Sequence, residues 1–443
     1  MKRITPLFVL IFTAYTGLFA QDAQSDTTWA KPSPDIDYAR QVVSTLCGPN
    51  MKGRGIAKGG DKAAADYILT EFRSIGVMPI GTEYFQKFPV NANTFPERMQ
   101  LSFDKDKEFL KPGVDFLIDA SSPTTIGEFK IIYISRKQMI DRMVLLDKLR
   151  DAKDGFILID NEERGEETPD ITKKLDETIK KVKTDMQVQI KGVIIYSKNK
   201  LTWNSSSVQT TRPIIYLTKE MNVSSLNTAK IAIDAEYKTN YETQNVVGII
   251  EGSAKPDSVI VLTAHYDHLG MLGKDVIYPG ANSNASGVAM LLSMAKHFDL
   301  IQPKYSVVFI ALGGEELGLL GSQAYTNSPA IPLSKIKFLL NFDLVGTGVD
   351  GAKVVNGTVL QPKFRLLNDI NGRNKYLPKL EPKGEACISG HCKFYQKQVP
   401  CFSVYTIGGT NYYHDLNDKP ENLPLTEFEN YQKLMIKFIE SIR

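Results

Sequence analysis

Ser258-Val259-Ile260-Val261-Leu262-Thr263-Ala264-His265-Tyr266-Asp267-His268-Leu269-Gly270 decides how this chain reads. The first half is a short, continuous apolar run, the pattern of a strand covered on both faces. The second half turns abruptly to imidazoles and a carboxylate, the side chains that bind metals and move protons. A buried strand that ends in such groups suggests a sheet whose carboxyl edge carries the chemistry.

Outward from this stretch the pattern repeats. Asn284–Phe298 reads as a helix with Val288, Leu291, Leu292 and Ala295 on one face. Tyr305–Leu312, Lys337–Leu340 and Val399–Tyr405 read as further strands, and Thr426–Ile442 as a closing helix. Strand, loop and helix in alternation predict an α/β fold, with a mixed, largely parallel central sheet and helices on both faces. Upstream, a helix begins near Ile36, and Asp61–Ile75 has apolar residues at helical spacing before Gly76 stops it. Residues 101–242 differ. Short runs at Lys130–Ile134, Gly155–Ile159, Gly192–Tyr196 and Pro213–Leu217 predict strands of a smaller, β-rich inserted domain. The helix-prone segments between them, Arg136–Ala152 and Ile171–Asp185, are charged, and no catalytic constellation stands out there. The expected division is 1–20, 21–100, 101–242 and 243–443, with the second and last segments forming the main domain.

The reactive residues fall just after predicted strands. His265 and Asp267, two apart at a strand end, point the same way, so Asp267 is expected to orient the ring of His265. Gly313-Gly314-Glu315-Glu316 sets two adjacent carboxylates on a sharp turn, where one can bind a metal and the other face its water. The same acids would also suit a helix N-terminus. Asn341-Phe342-Asp343 ends an apolar run in an acid that is awkward to bury unless paired or bound to a cation. Tyr412-Tyr413-His414-Asp415 lies in a turn-rich loop before the last helix.

In this order the series is specific. His265-x-Asp267, Gly280-Ala-x-x-Asn284-Ala-Ser-Gly287, Gly314-Glu-Glu316, Asn341-x-Asp343 and Tyr413-His414 resemble the co-catalytic zinc aminopeptidase family, as does Met51-x-Gly-Arg-Gly55 near the start. The family also includes glutamate carboxypeptidases, glutaminyl cyclases and the transferrin-receptor ectodomain. The resemblance covers about residues 36–90 and 243–443, and the intervening section resembles a protease-associated domain. It implies that His265 and Asp343 hold one zinc, Glu316 and His414 a second, and that Glu315 is the base. It also places Tyr413 and His391 near substrate and implies a peptide substrate, cleaved at its N-terminal bond.

One position departs. Where the family has a metal-bridging aspartate, this chain has Ser283, which brings no charge. One or two zincs are therefore open, with Asn282 or Asp275 as substitutes. An inactive binding protein on a peptidase fold and a single-zinc cyclase-like enzyme remain alternatives. Gly390, in Ser389-Gly390-His391, replaces an acid that many members carry.

Composition limits the rest. Lys2 and Arg3 followed by the apolar run Pro6–Phe19 and Ala20-Gln21-Asp22 read as a secretory signal peptide. A secreted or periplasmic protein follows, with no membrane attachment once the peptide is removed. The 53 basic residues less Lys2 and Arg3 leave 51 against 50 acids, so nothing attracts nucleic acid. An exported protein permits a disulfide among Cys387, Cys392 and Cys401, with zinc binding by the three as the alternative.

Overall fold

The computed structural model describes Met1 and residues 35–104 and 108–442. The expected signal peptide lies outside the described residues. Two sheets organise the chain. The larger has eight strands in the spatial order Phe85–Thr94, Glu236–Ile250, Tyr305–Leu312, Lys255–His265, Ile336–Phe342, Cys401–Ile407, Gly351–Val355 and Leu380–Pro382. Strand Lys255–His265 runs parallel to both of its neighbours, and Cys401–Ile407 extends the parallel set. The antiparallel pairs lie outside this centre, so the sheet is mixed but parallel where the chemistry sits.

Side chains alternate across this sheet as a period of two requires. Ile260, Leu262 and Ala264 face one core with Val307, Phe309 and Phe402; Val259 and Val261 face the opposite core with Val308 and Ile310. The first core takes helix Ser286–Leu300, which is buried on nearly all sides. It also takes helices Ile36–Leu46, Gly60–Ile75 and Phe428–Glu440. Gly76 ends the second of these at φ 101°, its N–H donating to the carbonyl of Phe72, a left-handed cap that glycine adopts without steric cost.

The second sheet has seven strands in the order Met99–Phe103, Thr228–Ile233, Thr125–Ser135, Phe156–Asp160, Gly192–Tyr196, Ile214–Leu217 and Phe116–Ile118. Helices Arg142–Asp151 and Pro169–Thr184 cover one face through Leu145, Leu175 and Val182. The other face buries Trp203 together with Leu269, Leu272 and Tyr278, which follow directly on the His265 stretch. Trp203 and Tyr278 meet at 5.1 Å between ring centroids. The second sheet is thereby seated on the loops beyond the carboxyl edge of the first. No helix among the described residues is long and apolar enough to cross a membrane.

Candidate metal centre

Three parallel strand ends and two loops converge. His265 is the last residue of its strand, Asp343 follows the end of Ile336–Phe342, and Glu315 and Glu316 lie just beyond Leu312. His414 comes in from the loop before the last helix. Donor atoms gather into two groups, His265–Glu315–Asp343 and His268–Glu316–His414, each with its ligand atoms within 4.8 Å of one another. A cleft of about 350 Å³ is lined by residues that include His265, Ser283, Glu315, Glu316, Asp343 and Tyr413.

The scaffold under these groups is specific. Asp267 does not orient His265 through its carboxylate. Its main-chain carbonyl lies 3.1 Å from His265 Nδ1, while its carboxylate is 3.8 Å away. The carboxylate instead accepts the Glu315 and Glu316 N–H groups at 3.0 and 3.1 Å and so fixes the glutamate turn. Arg54, fully buried, donates to the carbonyls of Leu46, Tyr266, Pro279 and Gly280 at 2.6–2.8 Å. It ties the His265 loop to the Pro279–Ser283 loop. Asp418 accepts the N–H groups of Asn282 and Ser283 at 2.8 and 3.0 Å. Gly280, at φ +63°, lies so close to His268 that a Cβ would sit 2.4 Å from the ring.

His414 is oriented from the other sheet. Its Nδ1 lies 3.1 Å from both the Trp203 carbonyl and Asn204 Oδ1, and Lys200 Nζ pairs with Asp415 at 2.9 Å. The 101–242 section, in which the sequence suggested no part of the site, thus reaches it through the Lys200–Asn204 loop. Tyr413, half exposed, stacks on His414 at 3.8 Å.

Several expectations are corrected. Asn282 Oδ1 accepts from the Gly346 N–H and the Ser286 hydroxyl, so it is committed to holding backbone rather than a cation. Asp275 is exposed at the turn between Met271–Leu272 and Val276–Ile277, outside both donor groups. His391 is buried, with Nε2 3.0 Å from the Ala386 carbonyl, and is not among the cleft-lining residues. Among the three C-terminal cysteines, Cys387 and Cys392 are disulfide-bonded and Cys401 is free and buried, so no three-cysteine zinc site forms.

Electrostatics separate the two adjacent glutamates. Burial pushes Glu315 up to about 7, with His265 and the Ser389 hydroxyl pulling against it. Its Oε1 accepts from Ser389 Oγ at 2.6 Å and the Gly390 N–H at 2.7 Å, while Oε2 has no partner. For Glu316, burial is outweighed by His268 and His414, which hold it well below the usual carboxylate range. Burial would lower His265, but Asp343, Glu315 and Asp267 outweigh it and push the ring up to about 10.

The raised His265 gives a signed expectation for the metal-stripped chain. Its contribution to stability is complete below the unfolded histidine value of about 6.5 and is lost as pH rises through about 10. Metal-stripped protein should therefore lose thermal stability between pH 7 and 10. His265→Gln should lack that decline, which melting curves across the range would measure.

The disulfide carries a second expectation. Cys387 and Cys392 flank Ile388-Ser389-Gly390, the loop that grips Glu315. Reduction, or Cys392→Ser, should raise amide hydrogen exchange at Ser389 and Gly390 by about 10-fold as the loop loosens, with far-UV circular dichroism unchanged. Unaltered exchange would show that the loop holds its position without the staple.

Two orphaned clusters suit a cation better than anything else. His414 Nε2, Glu315 Oε2 and both nitrogens of His268 are buried without hydrogen-bond partners. Buried polar atoms normally find partners, and mixed imidazole and carboxylate donors are a set that zinc takes. Residues 245–439 match the model of Peptidase family M28. This part of the chain is similar to peptidase family M28. The chain is 29% identical over 195 residues to Aminopeptidase YwaD of Bacillus subtilis, covering 42% of this chain and 39% of that protein. It is 38% identical over 117 residues to a probable zinc metalloprotease of Pyricularia oryzae, covering 25% and 22%. The matched stretch thus spans well under two thirds of these curated relatives.

Two solved structures resemble the whole fold. A zinc aminopeptidase from Bacillus subtilis superposes with TM-score 0.64 at 20% identity, over 92% of this chain and 94% of that one. An aminopeptidase from Aneurinibacillus sp. strain AM-1 gives 0.60 at 18%, over 93% and 95%. Coverage on that scale includes the seven-stranded sheet as well as residues 245–439. At such identities the likeness is one of fold.

His268 was the residue missed. It lies one position beyond the motif that drew attention, and the only sequence signal was scarcity, two of five histidines within four residues.

Proposed function

We propose that this chain is an exported, zinc-dependent exopeptidase that hydrolyses the first peptide bond of its substrate. The supporting observation is Glu315 Oε2, buried and without a partner beside two convergent donor groups in one cleft. A carboxylate whose affinity for a proton lies near neutrality is suited to take a proton from water and return it to a leaving amine. Zinc bound by His265, Asp343, Glu316, His414 and their neighbours would supply the Lewis acid that acidifies water and polarises the scissile carbonyl. Ser389 and Gly390 keep Glu315 Oε1 occupied and leave Oε2 as the free oxygen. Tyr413, exposed at the rim and stacked on His414, is placed to border a bound peptide. The seven-stranded sheet would be the protease-associated-like insert, and the basic, apolar start of the chain would direct export.

Aminoacyl 4-nitroanilides and their N-acetylated forms test the reading. Hydrolysis of the free-amine series, abolished by chelation and restored by zinc, is expected, with the acetylated series inert. Ser283 favours a second reading, an inactive binding protein. Absence of chelator-sensitive hydrolysis across the panel would select it.

A further inference from the structure

His268 has no role in the scheme above, yet no side chain is more conspicuously prepared for one. It is completely buried, and neither ring nitrogen makes a hydrogen bond. Its Nδ1 lies 3.4 Å from Glu316 Oε1, and His414 Nε2 lies 3.2 Å from the same oxygen. A tetrahedral zinc with bonds of ~2.0–2.1 Å sets its donors about 3.3 Å apart. The two edges that meet at Glu316 have that length before any ion is added. The companion edge, His265 Nε2 to Asp343 Oδ1, is 3.7 Å, and its third member, Glu315, is held at Oε1 by Ser389 and Gly390.

We propose that His268, Glu316 and His414 form a self-sufficient zinc site, and that His268 supplies the ligand lost when a serine occupies position 283. Two imidazoles and one carboxylate, with a fourth position open, complete a catalytic zinc set without a bridging anion. The backbone is built to present the ring. Gly280 leaves room for it where a Cβ would strike the ring, and the His268 N–H donates to the Arg54 carbonyl at 3.3 Å. His265 and Asp343 are left as a two-donor site with no shared anion to offset repulsion from the first ion, and it fills only at much higher zinc. The chain is thus a one-tight-zinc protein. This rests on the exopeptidase reading and specifies its metal content.

The test is binding, made on the full chain stripped with chelator. Zinc titration by calorimetry is expected to give one tight equivalent, with any second at least 100-fold weaker. X-ray absorption at one equivalent should count two imidazoles. His268→Gln should weaken the tight equivalent at least 100-fold with melting temperature of the metal-free form unchanged. Ser283→Asp should add a second tight equivalent. Two equivalents of equal affinity in the parent, or a single imidazole at one equivalent, would overturn the proposal even if His268→Gln failed to fold. Anilide hydrolysis that persists with two equal zincs would sink this assignment alone. A chain that neither binds zinc nor hydrolyses would sink the exopeptidase reading with it.

Discussion

Glu315→Gln is expected to lower kcat on aminoacyl anilides by about 10²–10⁴-fold, with zinc content at the parent's level. The substitution is close to isosteric. Gln retains an amide oxygen that can accept from Ser389 Oγ and the Gly390 N–H, so the grip on Oε1 is preserved. What changes is the partnerless Oε2, which becomes an amide nitrogen whose delocalised lone pair cannot accept a proton. Loss of turnover with metal retained would separate proton transfer from metal binding. A variant that hydrolyses at the parent's rate would remove Glu315 from the reaction. The adjacent Glu316 provides the contrast. Glu316→Gln removes the negative charge between His268 and His414 and should fail first in metal affinity.

Arg54→Met is expected to give the largest loss of stability, about 4 kcal/mol. Met fills much of the aliphatic volume but donates nothing. Four carbonyls, on Leu46, Tyr266, Pro279 and Gly280, then lose charged donors inside the protein. An orphaned buried acceptor costs roughly 1–3 kcal/mol, and water entry keeps the sum below four full penalties. With an unfolding entropy of ~2.1 cal/mol/K per residue over roughly 400 residues, the melting temperature should fall by about 4–5 °C. Zinc affinity should fall too, because the loops released are those that carry His265, His268 and Ser283. A melting temperature within 1 °C of the parent's would mean that the four carbonyls find other donors.

Much of the fold was legible because the parallel strands are buried on both faces. Tyr305–Leu312 is apolar apart from one serine and matches its expected bounds, and Gly76 ends its helix where expected. The first and second strands of the large sheet were not legible. Phe85–Thr94 contains Pro89, and the first half of Glu236–Ile250 is largely solvent-exposed, so its residues carry no apolar alternation to detect. In the candidate site, strand ends located His265, the glutamate pair and Asp343. His268 escaped because alternation holds only while the chain remains a strand. The strand stops at His265, and the next three residues turn so that His268 faces Glu316. The link from Asn204 to His414 spans 210 positions and follows from how the two sheets dock, which no local pattern encodes.

That link bears on what can be cut away. Joining Thr94 directly to Glu236 would leave the eight-stranded sheet its full complement of strands, because those two residues already face each other across a ladder. Such a minimal chain would nevertheless deprive His414 Nδ1 of both its acceptors and bare the apolar side of Leu269, Leu272 and Tyr278. The smaller sheet is a buttress rather than an appendage, and attempts to miniaturise this protein should graft a replacement for the Trp203–Asn204 corner before discarding the rest.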